Sequence, residues 1–273
     1  MKLVKEYNQE FKIDKFEKGK DLLIIAGPCS IESEEQMFEV AERLVNLGVK
    51  FIRAAMVKPR TSPYSFQGIG LEGIEIIKKL KAKYPLNVVS ELMDINSIDI
   101  YEEYIDIIQV GARNMQNFEL LKALGKSKKP ILLKRGFGNT IEEWLNACEY
   151  LLAYGNNQVI LCERGIRTFE TATRNTLDIS SVPIVKGLTK LPIIVDPSHA
   201  SGRRDLITSL SLASIAAGSD GLMIEVHPHP EESVSDKDQA ISLDEFARLL
   251  KKVKNVKEAI EKWKTFSKSF PLL

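Results

Sequence analysis

Residues 192–230 read PIIVDPSHASGRRDLITSLSLASIAAGSDGLMIEVHPHP. Two short apolar runs, 192–195 and 221–225, bracket a stretch of helical period at about 203–217. The runs are rich in Ile, Val and Leu and do not alternate with polar residues. Strands covered on both faces of a parallel sheet have this character. Each run ends abruptly in reactive chemistry. The first gives Asp196-Pro197-Ser198-His199, the second Glu225-Val226-His227-Pro228-His229-Pro230, and all three histidines of the chain lie here.

The same unit recurs upstream. Further strand-like runs fall at 22–26, 51–56, 87–90, 105–110, 130–134 and 158–162. Helical stretches lie at about 34–47, 71–83, 95–104, 117–124, 140–153, 170–178 and 203–217, and a last one at 242–254. Ser33, Thr140 and Ser242 each precede acidic residues, the signature of a capped helix start. Eight strands alternating with eight helices predict a (β/α)₈ barrel. An open doubly wound sheet is the alternative, but it carries a Gly-rich turn after its first strand. Here that strand leads into Ala26-Gly27-Pro28-Cys29-Ser30. Residues 1–20 read as a short N-terminal extension, with a possible strand pair, 21–260 as the barrel, and 261–273 as a C-terminal tail.

The chain has 273 residues, enough for one barrel domain with a sizeable core. Lysine plus arginine number 38 and acidic residues 37, which argues against nucleic-acid or membrane-surface partners. No apolar run reaches the ~20 residues of a membrane helix, and the N-terminus lacks a signal-peptide core. The chain reads as cytoplasmic. Its three cysteines, Cys29, Cys148 and Cys162, do not read as a disulfide framework.

Barrel enzymes place their chemistry at the C-terminal ends of the strands. Every strand end but the first carries a charged or metal-binding residue, and the first carries a thiol. Arg53, Lys58, Arg60, Arg113, Lys134 and Arg164 converge on one mouth if the barrel closes. Like charges so close need counter-charge, so the cluster predicts two phosphates, or a phosphate and a carboxylate. Unrelated salt bridges are the plainer alternative. Cys29, His199, Glu225 and Asp236 form a second group, with His227 and His229 as competitors. Thiolate, imidazole and carboxylates suit a divalent Mn, Fe, Co or Zn ion. Strand 8 closes against strand 1, so these ends are neighbours. Asp236 joins them only if Ser233-Val234-Ser235-Asp236 folds back over the mouth. Cys29 as an ordinary buried residue is the alternative.

The segments Gly27-Pro28-Cys29-Ser30, KPRTS at 58–62, GARN at 111–114, LLKRG at 132–136, DPSHASG at 196–202 and EVHPHPE at 225–231 resemble those of one family. It is that of the 3-deoxy-D-arabino-heptulosonate 7-phosphate (DAHP) synthases, in their compact type I beta branch without a regulatory domain. The resemblance runs from about residue 20 to 255. It implies condensation of phosphoenolpyruvate with erythrose 4-phosphate and water, giving DAHP and phosphate at the entry to the shikimate pathway. A sister family, the 3-deoxy-D-manno-octulosonate 8-phosphate synthases, uses arabinose 5-phosphate. Its loop after strand 2 is of Lys-Ala-Asn-Arg-Ser type, whereas this chain has Lys58-Pro59-Arg60-Thr61-Ser62.

By the same resemblance, Arg113, Lys134 and Arg164 match the phosphoenolpyruvate phosphate site. Arg53 and Lys58 match positions near its carboxylate and reacting end. Arg60 and Thr61 match the grip on the aldose phosphate, with Ser62 in the same loop. Cys29, His199, Glu225 and Asp236 match the metal ligands, and His227 lies beside one of them. Glu91 fits the mouth as a group that orients a lysine or a water, and Lys134 is the candidate proton donor. The family implies a homotetramer or homodimer. A Schiff-base aldolase using Lys134 and a non-catalytic sugar-phosphate sensor are the competing readings.

Overall fold

The computed structural model describes residues 1–59, 62 and 64–269. Arg60 and Thr61, the expected aldose-phosphate grip, lie outside the described residues. Eight parallel strands form a closed barrel. They are β1 (Leu23–Gly27), β2 (Phe51–Arg53), β3 (Asn87–Glu91), β4 (Ile107–Val110), β5 (Ile131–Lys134), β6 (Val159–Glu163), β7 (Ile193–Val195) and β8 (Gly221–Glu225). Every residue of β2 to β8 is buried, because helices cover the outside and side chains fill the inside. The barrel closes by pairing β8 with β1, from Gly221 opposite Leu23 to Glu225 opposite Gly27. That register brings Glu225 to the same mouth as Cys29.

Gly221 is required at this seam. A Cβ there would lie 2.0 Å from the Leu23 carbonyl oxygen, a backbone atom that cannot swing aside. Gly221→Ala is expected to cost about 1–3 kcal/mol of stability. The expected signature is a lower denaturant midpoint at an unchanged m-value; a wild-type midpoint would refute the close packing.

The covering helices are α1 (Glu34–Asn46), α2 (Gly73–Lys83), α3 (Ile98–Tyr104), α4 (Phe118–Leu124), α5 (Ile141–Ala153), α6 (Ser181–Leu188), α7 (Ile207–Ala216) and α8 (Leu243–Ser269). The expected caps are made. The Ser33 hydroxyl accepts the Gln36 N–H at 3.1 Å, and Thr140 and Glu143 close a reciprocal capping box. Ser242 and Glu245 do the same at 3.2 and 2.8 Å. Phe246, Leu249 and Val253 bury one stripe of α8. The helix runs unbroken past residue 260, where the sequence pattern suggested that the barrel gives way to a tail.

The helix expected at 170–178 does not form. The Glu170 carboxylate accepts the N–H groups of Thr171 and Ala172 at 2.8 and 2.7 Å, and the Thr168 hydroxyl accepts that of Glu170. Those first N–H groups would be free in a helix too, but the donors a helix needs next are also diverted: Arg174 and Asn175 N–H go to the Ser201 and Ala200 carbonyls at 2.8 Å, and Thr176 N–H to the Ile166 carbonyl at 2.9 Å. Ile166 and Thr176 pair instead as an antiparallel bridge, and α6 begins later, at Ser181. The consequence is functional, because the irregular segment turns Arg174 toward the mouth.

The N-terminal extension holds a short helix, Lys2–Glu6, and a two-stranded ribbon, Lys12–Ile13 with Phe16–Glu17. Lys15 at the ribbon turn donates to Asn87, the first residue of β3, at 2.7 Å. The ribbon therefore lies at the end of the barrel opposite the mouth.

Candidate active site

The mouth holds a cavity of about 250 Å³. From the expected residues it is lined by Lys58, Ser62, Glu91, Arg113, Lys134, Arg164, His199 and Asp236. Most come from the ends of different strands, so barrel closure brings them together, and Asp236 joins them through the segment after β8. Two sides are distinct.

On one side Cys29, His199, Glu225 and Asp236 offer ligand atoms that all lie within 4.8 Å of one another. The Cys29 thiol donates to Asp236 Oδ2 at 3.0 Å. Burial pushes that thiol up to about 11, with Glu225 adding to the shift and Lys58 and Arg53 opposing it. Glu225 accepts from Gln239 Nε2 at 2.8 Å and pairs with Arg53 at 3.2 Å, both through Oε2. Its other oxygen, Oε1, is buried with no hydrogen-bond partner among the described residues. Burial raises the Glu225 carboxyl above its ordinary range, against the pull of Arg53.

His199 is buried, and burial drives its imidazolium far below the usual range, so the ring is neutral. Its Nδ1 faces Asp196 Oδ2 at 2.8 Å, a close contact short of an aligned hydrogen bond. Nε2 thus points into the group, 3.5 Å from Glu225 Oε2. A neutral imidazole backed by a carboxylate is the usual form of a histidine ligand. Asp236 reaches the group because the segment after β8 does fold back. Its backbone is left-handed, with φ of 56°, an uncommon state that concentrates at functional sites. An orphaned buried carboxylate oxygen and a sulfur, nitrogen and oxygen donor set fit a divalent transition metal.

The other side is cationic. Lys134 at the end of β5 donates to Asp196 Oδ2 at 2.6 Å. Arg164, just after β6, donates to the His199 carbonyl at 3.0 Å. Burial lowers Arg164 to about 10, which leaves it charged at neutral pH. Arg113 follows β4 in a short 3₁₀ turn, Ala112–Asn114. Glu91 accepts from Gln109 at 3.0 Å, and a Cβ at Gly111 would fall 1.9 Å from its carboxylate. Gly111 therefore makes room for a buried acid beside the cations.

Arg53 stands apart from the cations it was grouped with, and the competing histidines stand outside the expected four. Arg53 is buried against Glu225 and the Cys29 carbonyl, under the four-ligand group. His227 turns away to Glu32, its Nε2 lying 3.4 Å from the carboxylate, and neither it nor His229 joins the four ligands. Others were missed. Asp196 holds both Lys134 and His199, and caps the short helix Pro197–Ser201 by accepting the His199 N–H at 3.0 Å. A proline at the first helical position after an aspartate was the available signal for the cap. Arg174 donates to Asp236 and Gln239 at 3.3 and 2.9 Å.

With this geometry in place, the similarities to known proteins are consistent. A model of the DAHP synthetase I family matches residues 6–262. A phospho-2-dehydro-3-deoxyheptonate aldolase of Thermotoga maritima is 53% identical over 237 residues, covering 87% of this chain and 70% of the relative. A 2-dehydro-3-deoxyphosphooctonate aldolase of Desulfotalea psychrophila is 34% identical over 261 residues, covering 89% and 92%. The crystal structure of the Thermotoga maritima DAHP synthase superposes with a TM-score of 0.89 at 49% identity, over 93% of this chain and 75% of that one. A closed barrel, a group of four side chains that could hold a metal ion and these matches agree, and the chain belongs to the DAHP synthetase I family.

Proposed function

We propose that this protein condenses phosphoenolpyruvate with erythrose 4-phosphate and water, giving DAHP and inorganic phosphate, with a divalent metal held by Cys29, His199, Glu225 and Asp236. The observation that carries the reading is the cavity itself. It gathers Lys58, Arg113, Lys134 and Arg164 around a space of small-metabolite size that His199 and Asp236 of the four-residue group also line.

Arg113 and Arg164 hold the phosphoenolpyruvate phosphate, and forked guanidinium groups suit that anion. Lys58, which lines the cavity, lies toward its carboxylate and reacting end, and Arg53 acts from beneath through its pair with Glu225. Carbon 3 of phosphoenolpyruvate forms the new bond to the aldehyde carbon. Water adds at carbon 2, and the adduct collapses to the ketone and expels phosphate. Lys134 Nζ carries the proton for the aldehyde-derived oxygen, and Asp196 fixes its position. Cys29, His199, Glu225 and Asp236 would hold the metal, which would supply Lewis acidity there. Holding two anions in reacting geometry is itself worth up to ~7–11 kcal/mol in well-oriented cases.

The donor set suits Mn, Fe, Co or Zn. The aldose is assigned as erythrose 4-phosphate on the Lys58-Pro59-Arg60-Thr61-Ser62 pattern. The higher identity to the heptonate relative supports it. Arg60→Ala is expected to raise the KM for the aldose phosphate far more than that for phosphoenolpyruvate. Equal effects on both would refute the assignment. No helix among the described residues is long and apolar enough to cross a membrane. A cytoplasmic homotetramer or homodimer completes the reading. Phosphate release with erythrose 4-phosphate against arabinose 5-phosphate tests it. A kcat/KM preference for the four-carbon sugar is expected, and the reverse preference would move the chain's activity to the sister reaction.

A further inference from the structure

Phe137 lies in the loop after β5, half-buried at the cavity wall. Three guanidinium groups surround its ring. The central carbon of Arg164 is 4.6 Å from the ring centroid, that of Arg167 4.8 Å, and that of Arg113 5.2 Å. The barrel explains the grouping. Strand β5 is hydrogen-bonded to β4 on one side and β6 on the other. A side chain issued after β5 therefore falls between Arg113, issued after β4, and Arg164 and Arg167, issued after β6. The Arg167 N–H also donates to the Phe137 carbonyl at 2.7 Å, tying the two loops together under the ring.

Three cations this close repel one another. A phenyl ring offsets part of that repulsion, because its negative face attracts a cation within about 6 Å of the centroid. An aliphatic side chain would fill the same space without that attraction. The ring matters most for Arg164, which is buried and whose own hydrogen bonds go to the Gly165 and His199 carbonyls. Carbonyl dipoles and the ring face thus meet a charge that is otherwise desolvated.

We propose that Phe137 is the positioning residue of the anion site, its ring spacing the Arg113 and Arg164 guanidinium groups so that a phosphate dianion meets both already placed. The inference rests on reading this cavity as a phosphoenolpyruvate site. Preorganised donors bind more tightly because less ordering is left to the moment of binding.

The test is phosphoenolpyruvate binding to chelator-treated full-length protein by calorimetry, together with steady-state kinetics, for wild type, Phe137→Leu and Phe137→Tyr. Phe137→Leu is expected to weaken phosphoenolpyruvate binding and raise its KM by about tenfold, as two lost cation–π contacts would. The aldose phosphate KM and the kcat at saturating phosphoenolpyruvate should stay within about threefold of wild type, since the chemistry keeps its own groups. Phe137→Tyr keeps a π-face and is expected to restore tight binding, which a purely space-filling role would not require. Tight binding by Phe137→Leu, or weak binding by Phe137→Tyr, would overturn the proposal. Failure of the wild type itself to bind phosphoenolpyruvate would overturn the phosphoenolpyruvate reading of the cavity, and this inference with it.

Discussion

Asp196→Asn is expected to lower kcat by at least ~10²-fold and to weaken metal binding by about 10–100-fold. One carboxylate serves both sides of the cavity. Asp196 Oδ2 accepts from Lys134 at 2.6 Å and lies 2.8 Å from His199 Nδ1. It is fully buried, and its carboxyl is held well below the ordinary range. Burial alone would raise it, but His199 and Lys134 outweigh that. An asparagine keeps the shape and removes the charge. The Lys134 ammonium is then buried without its counter-ion, a loss of about 3–5 kcal/mol when buried pairs are broken. The imidazole also loses the carboxylate that orients it. Denaturant unfolding, chelator competition and steady-state rates read these three effects separately. Wild-type rates at a wild-type metal affinity would show that Asp196 only fills space.

Cys29→Ser is the second large effect. The expected result is at least ~10²-fold weaker metal binding and a matching loss of activity at low metal concentration. The thiol also sets a pH dependence. Burial holds it protonated, at about 11, before metal arrives. A ligand sulfur must shed that proton, so metal binding near pH 7.5 releases at least one proton. Apparent metal affinity rises with pH, because fewer protons remain to be displaced. In Cys29→Ser the thiol proton is absent, and proton release on metal addition should fall by about one. An indicator-dye titration in weak buffer measures this. Unchanged proton release would remove Cys29 from the ligand set.

The fold was legible because a barrel repeats one short unit, and its strands are buried on both faces. Runs such as 221–225 then stand out as unbroken apolar segments ending in reactive residues. The grouping of Cys29, His199 and Glu225 was legible for the same reason, since they sit at or just past the ends of strands that the closed barrel makes neighbours. Asp236 required a loop to fold back, and it does so through a left-handed backbone. What was not legible depends on side-chain direction across the mouth. Asp196 shows its role only because Lys134, 62 positions away, reaches the same oxygen. Arg53 sits at a strand end like the other cations, yet it pairs with Glu225 beneath them. Arg174 lay hidden in a stretch read as a helix, because the N–H groups of Arg174, Asn175 and Thr176 go to the distant Ser201, Ala200 and Ile166 carbonyls instead of to the preceding turn. Phe137 carries no signal in the sequence, because the three arginines around its ring come from two other loops.

The central claim is that one mouth joins a metal group to an anion site and carries out a metal-dependent condensation. Phosphate release from phosphoenolpyruvate in the presence of erythrose 4-phosphate, before and after metal removal, tests it most directly. Release is expected to need both substrates, to fall to background in metal-stripped protein and to return on adding Mn, Co or Zn salts. Full-rate release from the stripped protein, or none from the metal-loaded one, would contradict it.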